Sequence, residues 1–457
     1  MILLEIPHAT VSSGITYLFL ALLLGMVAAL ALEEKIHAQK SVITGVTAVI
    51  ALLLGEITGV LSIFSGHEGH VPFYVTFIDW GVINIILGSS IFVDITSKSG
   101  IFSWLAIRLT KLTKGDPFKL LVYYSIMTVI FSALLNNVTA MIIVGSLTAV
   151  SLNKLKRNEL LLGFLLCEGL LTNIGGLLTL ISSVPNIIVG NAAKIAFIEF
   201  FYISAPYVVI ATTVTIYLSR ALFKIKGLKT AQEKEEAAQL IQGFDENDSI
   251  ESMAFFRFSW FIFGAFIVVL ATTDLIPYIK ELGIGFVALA FGIMMLIKFK
   301  SKASSIYAEL DWDLLFFFAF LFVVIGVMEH AQVLELIGGV VVQLMNLGET
   351  GGPLALLWAG AFASSVTDNI PLAAMLAKTM QALPAFSENF WWALIYGTNL
   401  GGNITPIGSA STVVAVTVIH KNNISLSFGA FVVKAIPFAI VQLILASAYV
   451  YVLGLIL

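Results

Sequence analysis

The residues able to do chemistry stand in four short polar clusters, each enclosed by apolar sequence. The first two are Leu135-Asn136-Asn137-Val138-Thr139 and Thr367-Asp368-Asn369-Ile370-Pro371. The third and fourth are Thr172-Asn173-Ile174-Gly175-Gly176 and Thr398-Asn399-Leu400-Gly401-Gly402-Asn403. An unpaired amide or carboxylate in hydrocarbon is costly, so such groups persist where they line a protected cavity or bind something. Paired glycines break a helix and turn bare N–H and C=O groups toward such a cavity. Half-helix N-termini attract anions, whereas C-terminal carbonyls and side-chain oxygens attract Na+. The chemistry expected of the set is binding of a small ion. Ser182, Ser183, Asn186, Thr405, Ser409 and Thr412 follow the glycine pairs closely and join the expected binding set. Asn, Ser and Thr also join membrane helices, so for any one of these residues packing competes evenly with cavity lining. Repetition of the whole set favours a site.

Asp368 is the one carboxylate in the first two clusters, and intramembrane acids are functional hypotheses by default. Its counterpart Asn136 carries neither charge nor proton, so a cation or proton cycle would rest on Asp368. Glu168, one turn before Thr172, is the second candidate for proton or cation coupling. Its competing reading is a protonated carboxyl bonded between helices. Asp79, Asp94, Asp311, Asp313 and Glu329 fall near predicted span ends and read as interfacial anchors. His67-Glu68-Gly69-His70 lacks a third ligand and reads as a polar loop. Lys378 and Lys434 read as snorkelling cations.

The elements holding these residues must be membrane helices. Of 457 residues, 59% are apolar and 11% charged, with mean hydropathy +1.00. Soluble chains run near about 45–50% apolar and about 25% charged. A soluble enzyme is excluded, and 34 Phe with 7 Trp exclude disorder. No His-Glu-x-x-His or Gly-x-Ser-x-Gly constellation supports an enzyme. A net charge of −4 offers no basic face for nucleic acid. The single Cys167 excludes a disulfide framework and a thiolate metal cage. No metal site is expected, and no cofactor beyond Na+ or H+ as coupling ion. The expected partners are the lipid bilayer and a small inorganic ion or small anion.

A helix crossing about 30 Å of hydrocarbon needs about 20 apolar residues. Ten crossings are predicted, near 13–32, 42–64, 75–95, 160–190, 203–223, 256–273, 283–298, 312–330, 390–419 and 428–457. The first has no basic residue before it and reads as a retained span. Segments 160–190 and 390–419 are too rich in Gly, Asn and Pro to be unbroken helices. Two further apolar stretches, 119–152 and 353–383, read as re-entrant hairpins. Twenty of the 24 Lys and Arg fall near 33–40, 96–119, 152–158, 220–257, 298–302 and 420–425. Placing these in the cytoplasm makes every loop alternate correctly if both hairpins fail to cross. Both termini then lie outside. The stretch from Gly100, GIFSWLAIRLTKLTKG, reads as an amphipathic surface helix.

The chain also matches itself. Asp79-Trp80 recurs as Asp311-Trp312 and Asn136-Asn137 as Asp368-Asn369, at an offset of 232. The offset then becomes 226, where Thr172 to Gly176 falls on Thr398 to Gly402. The expected fold is an all-α polytopic membrane protein with two inverted repeats. The first repeat is 1–223, with hairpin 119–152 and broken helix 160–190. A solvated cytoplasmic linker covers 224–253. The second repeat is 254–457, with hairpin 353–383 and broken helix 390–419. Five crossings per repeat invert the second half. Inverted repeats with broken helices mark secondary transporters, with substrate held at the midplane.

At these clusters the sequence resembles the ion transporter superfamily, in the branch holding the arsenite permease ArsB, the Na+/H+ antiporter NhaD and the melanosomal P protein. Citrate and dicarboxylate carriers are more distant members. The branch's Leu-Asp-Asn-Val-Thr-Thr is matched by Leu135 to Ala140, its Glu by Glu168, and its Asn-Ile-Gly-Gly by Asn173 to Gly176. Its Gly-Asp-Pro-Pro-Asn falls on Ser182 to Asn186, and its Asp-Asn-Ile-Pro on Asp368 to Pro371. Asn136 and Ser183 stand where the branch commonly has Asp. The resemblance implies a secondary active transporter of a small inorganic ion or oxyanion coupled to H+ or Na+, working by alternating access. Na+/H+ antiport and arsenite efflux stand level, ahead of Na+-coupled di- or tricarboxylate symport. An ion channel is a further reading. With no organelle address visible, a prokaryotic plasma membrane is expected, and the resemblance implies a homodimer formed through spans near 13–64 and 256–298.

Overall fold

The structure is a computed structural model, and it describes residues 11–61, 71–241, 243, 245–383 and 386–456. His67 to His70 lies outside the described residues. Every regular element described is helical. The first half holds α1 (Ser13–Ala31), α2 (Glu33–Ile36), α3 (Lys40–Ile57), α4 (Trp80–Ser97), α5 (Ile101–Thr113), α6 (Pro117–Leu134), α7 (Asn137–Lys154), α8 (Leu161–Gly176), α9 (Val184–Ala193) and α10 (Phe197–Leu222). Between the halves lies α11 (Ala231–Ile241). The second half holds α12 (Met253–Ala271), α13 (Pro277–Lys298), α14 (Ala303–Glu309), α15 (Trp312–His330), α16 (Val333–Met345), α17 (Gly348–Val366), α18 (Asn369–Gln381), α19 (Asn389–Gly401), α20 (Ala410–Lys421) and α21 (Phe428–Ile456).

The repeat is legible in where helices begin. Starts of α4, α5 and α7 recur 232 positions later in α15, α16 and α18, and the start of α9 recurs 226 later in α20. The fold is therefore an all-α polytopic membrane protein of inverted-repeat type. Ten of the described helices are long and apolar enough to span a bilayer. They differ from the sequence expectation at one place. Helix α6 qualifies, whereas 390–419 divides into α19 and α20 of 13 and 12 residues. The expected 42–64 span ends at Ile57, and that near 283–298 begins earlier, at Pro277, which suits a helix's first position. Helix α16 was not foreseen, although it stands 232 positions after α5.

Two compact units emerge. One comprises Met1–Trp80, Asp311–Gln343 and Lys378–Pro384. In it α3 packs on α15, and the Asp313 carboxylate accepts the Ser41 N–H at 3.1 Å. Asp311 caps α15 by accepting the Leu314 N–H at 2.9 Å. Lys378 pairs with Glu329 at 3.3 Å.

The other unit comprises Gly81–Leu310, Leu344–Ala377 and Ala385–Leu457, and it contains all four polar clusters. Its surface includes the amphipathic α5, capped by Gly100 at φ 82°. The polar linker is not the free tether its composition suggests. Ser249, Glu246, Ala237 and Leu228 run along α5 and into α6. A Cβ on Gly100 would meet the Ser249 oxygen at 2.2 Å, and Lys111 pairs with Glu246. Gly115 lies against Ala237, and Asp116 accepts the Leu228 N–H at 2.9 Å. Asp116 also caps α6 through the Lys119 N–H, with Pro117 at the first helical position.

Candidate functional site

The site lies within the second unit, at two hairpin tips and two helix breaks. Helix α6 ends at Leu135, whose ψ of 170° takes the chain out of the helix. Asn136, also extended, caps α7 by accepting the Thr139 N–H at 2.7 Å. The second tip repeats this construction. Thr367 is extended after α17, and the Asp368 carboxylate accepts the Ile370 N–H of α18 at 2.9 Å. Asn and Asp are the strongest N-caps, so local physics alone would place either at a tip. The difference is charge. Asp368 is 7% exposed and Asn369 beside it 5%.

Each hairpin is sewn to the broken helix of its own repeat by the same bonds. Ser132 donates to the Thr172 carbonyl at 2.6 Å, and Ser364 to the Thr398 carbonyl at 2.6 Å. Thr179 donates to the Ala133 carbonyl at 2.5 Å, and Thr405 to the Ser365 carbonyl at 2.6 Å. Gly175 and Gly401 permit the approach. A Cβ on Gly175 would meet the Val129 oxygen at 2.7 Å, and one on Gly401 the Ala361 oxygen at 2.3 Å. These glycines answer a backbone contact first, beyond breaking a helix.

The breaks are satisfied from within. Ser182 and Asn186 donate to the Gly176 carbonyl that α8 leaves free, at 2.5 and 2.6 Å. Thr412 reaches the Gly402 carbonyl at 3.5 Å and the Pro406 carbonyl at 3.1 Å. Ser409 caps α20. The repeats then exchange partners. Asn173 donates to Asn403 at 2.8 Å and to Ser409 at 3.0 Å, while Ser183 donates to Asn399 at 2.7 Å. Asn399 donates to Asn186 at 2.9 Å, and within the first repeat Asn137 donates to Asn173 at 3.3 Å. The Thr172 and Thr398 hydroxyls turn back on their own helices, to Gly169 at 2.6 Å and Leu394 at 2.8 Å.

The bonds thus join Asn137, Asn173, Ser183, Asn186, Asn399 and Ser409, while Asn136 and Asp368 cap the helices that follow them and Glu168 stands apart. It is fully buried on α8, where Thr148 of α7 donates to its Oε1 at 2.6 Å. Its Oε2 has no hydrogen-bond partner among the described residues. Sequence reasoning missed Ser132, Ser364 and Thr179, which the same offsets of 232 and 226 could have found. It also missed Ser411 and Gln442. Gln442 accepts from Asn403 at 2.8 Å and carries no repeat signal. Among the described residues no three His, Cys, Asp or Glu side chains gather to hold a metal. None of the expected site residues is Lys, Arg or His.

Comparison with known proteins fits this architecture. A 46 kDa membrane protein of Mycobacterium leprae is 28% identical over 432 residues, covering 93% of this chain and 95% of that one. The human P protein is 23% identical over 506 residues, covering 92% of this chain and 60% of its own length. Two solved transporters share the fold. The Alcanivorax borkumensis YdaH transporter aligns with a TM-score of 0.56 at 14% identity, covering 98% of both chains. Neisseria gonorrhoeae MtrF aligns with 0.55 at 16%, covering 88% of this chain and 84% of its own. The citrate transporter family, CitMHS, matches residues 27–397. This multi-pass chain, with its sewn hairpins and broken helices, belongs to that family of transporters.

Proposed function

We propose that the chain is a secondary active transporter that carries a small carboxylate of the citrate class together with Na+ or H+, by alternating access around the two tips. One observation carries this reading. Both tip side chains cap the helix that follows, Asn136 through the third N–H and Asp368 through the second, but they differ in charge, a carboxylate at Asp368 and a neutral amide at Asn136. The acid tip suits a cation, and the neutral helix N-terminus leaves an anion unrepelled. Membership of the citrate transporter family supports placing carboxylate symport ahead of the inorganic-ion readings favoured by the motifs alone. A bacterial plasma membrane fits the mycobacterial relative.

A second reading keeps support from the absence of Lys, Arg and His among the site residues. A single acid suits Na+/H+ antiport, or efflux of neutral arsenous acid against one proton. Proteoliposomes with an internal pH dye separate the readings. Citrate, succinate, arsenite, Na+, Li+ and K+ are added in turn under imposed Na+ or pH gradients. Gradient-driven citrate uptake is expected. Proton movement on adding Na+ or Li+ with no citrate uptake would replace symport by antiport, and a response to arsenite alone would establish efflux.

A further inference from the structure

Glu168 is the interior acid that the tips and breaks do not use. It has no acidic counterpart, since the position 226 residues later is Leu394. Its burial is complete, one oxygen is bonded by Thr148, and the other is unpartnered among the described residues. Helix packing explains the bonded oxygen and leaves the second unexplained. A second hydroxyl nearby would join the helices with no orphaned atom.

The surroundings carry no compensating charge. The titratable groups facing Glu168 are Tyr124 of α6 and its own neighbour Cys167. Helix α7 offers Thr148. On α10, Arg220 is taken up over the Phe118 ring, 4.2 Å from its centroid. On α20, His420 binds the Leu426 carbonyl at 3.0 Å in the last turn, beside Lys421. Tyr207 of α10 donates to the Gln442 carbonyl of α21 at 3.1 Å, and Tyr396 of α19 donates to Ser204 at 3.5 Å. No Lys, Arg or His is set against the carboxyl among the described residues.

Two hydroxyl segments lie between this carboxyl and the amphipathic α5, Thr148 on the carboxyl and Ser151, Tyr124 and Thr110 beyond it, with one turn of α7 between them. Thr148 and Ser151 stand one turn apart on the same face of α7. Ser151 bonds the Tyr124 hydroxyl at 2.8 Å, and that hydroxyl bonds Thr110 of α5 at 2.7 Å. All four are buried, and Arg108 and Leu112 on the other face of α5 are exposed. A hydroxyl both donates and accepts, so such a line can pass a proton without carrying a fixed charge.

We propose that Glu168 is a proton site distinct from Asp368, loaded and unloaded along Thr148, Ser151, Tyr124 and Thr110 from the α5 side. Thr148 hands its hydroxyl proton to Oε1 and takes one in turn from the line behind it, and unloading reverses the shift, so nothing else is consumed. This rests on the reading of the chain as a cation-coupled carrier. It supplies a proton carrier that Asn136 cannot be, and leaves Asp368 free for the second coupling ion or for orientation.

The test is infrared difference spectroscopy of the full chain in lipid nanodiscs, stepped between acidic and alkaline buffer without substrate. The wild type is expected to show a protonated-acid C=O band that appears and disappears with pH. Glu168→Gln should remove it, and Asp368→Asn should leave it. Thr148→Val, which changes no charge, should move the band frequency by freeing Oε1. Tyr124→Phe should slow its response to a pH jump about tenfold while leaving the end point unchanged. A spectrum in which Glu168→Gln removes no pH-dependent band overturns the site. An unchanged rate in Tyr124→Phe overturns the route. The readout needs no substrate, so failure of citrate transport and failure of this site are separately visible.

Discussion

Replacement of Asp368 separates charge from helix capping, because the structure gives the residue both roles. Its carboxylate caps α18 through the Ile370 N–H at 2.9 Å. Asn is an equivalent cap, so Asp368→Asn keeps that bond and loses the favourable charge at a helix N-terminus, about 0.3–1 kcal/mol. Asp368→Ala loses the cap as well, about 1 kcal/mol more. The effect on a bound cation is larger. At about 4 Å and an effective dielectric of about 20, a unit charge pair is worth about 4 kcal/mol, or three powers of ten in affinity. Even a quarter of that is about fivefold. The assay pairs thermal unfolding in detergent with citrate uptake against external Na+ and pH in proteoliposomes. Asp368→Asn is expected to unfold near the wild type while its cation requirement rises at least about fivefold. Asp368→Ala should lose both. Cation dependence unchanged in Asp368→Asn would refute the assignment. Loss of transport accompanied by an unfolding shift as large as that of Asp368→Ala would reduce the residue to a cap.

Gly401→Ala should destabilise by about 1–3 kcal/mol, since its Cβ would lie 2.3 Å from the Ala361 oxygen and 2.8 Å from the Ser364 Cβ. Gly264→Ala on α12, with nothing within 4 Å, should be neutral or stabilising by up to about 1 kcal/mol, and unfolding midpoints compare the two. The ion pair between Lys111 and Glu246 predicts a pH response of the linker. The hydrogen bond from Lys111 holds the Glu246 carboxyl below the ordinary glutamate range. Its contribution is therefore complete above that range and fades as pH falls toward the lowered folded value. The pair is a surface one, its side chains 34% and 23% exposed, so the effect is at most about 1 kcal/mol. A spin label at Gln239→Cys should gain mobility on acidification, and Lys111→Met should abolish the change.

The sequence carried the tips and breaks well because each rule involved is local. Asn136 and Asp368 sit where an apolar run must reverse, and N-capping needs one side chain and one N–H. The glycine pairs were legible as breaks. Their closer role, admitting the Val129 and Ala361 backbones, depends on which helix arrives opposite, and no local rule supplies that. The same limit hid the linker's docking. Its composition reads as solvated, but Gly100, Gly115 and Asp116 present backbone-sized notches and a carboxylate that fit one particular return path. Helix α16 was missed for another reason. At 13 residues it is too short to cross hydrocarbon, so a search for spans passes over it, and only the repeat offset from α5 marks it.

The pattern of bonds also constrains how the site can be exposed to either side. Asn173 and Asn399 each bond the other repeat's break, and Ser132 and Ser364 tie each hairpin to its own broken helix. Separating the repeats at this centre would cost at least six cross-repeat hydrogen bonds, which at about 0.6 kcal/mol each is about 4 kcal/mol in every cycle. Movement of hairpins and broken helices together keeps them all. A cross-link outside the site distinguishes the two. Gly145 of α7 faces Val418 of α20, with a built Cβ 3.4 Å from the valine Cγ1, which is within disulfide reach. Gly145→Cys with Val418→Cys, in a Cys167→Ala background, joins the first hairpin to the second broken helix. If they travel as one body, the oxidised protein transports at a rate close to the reduced one. If the repeats rock apart at the centre, oxidation stops transport and reduction restores it.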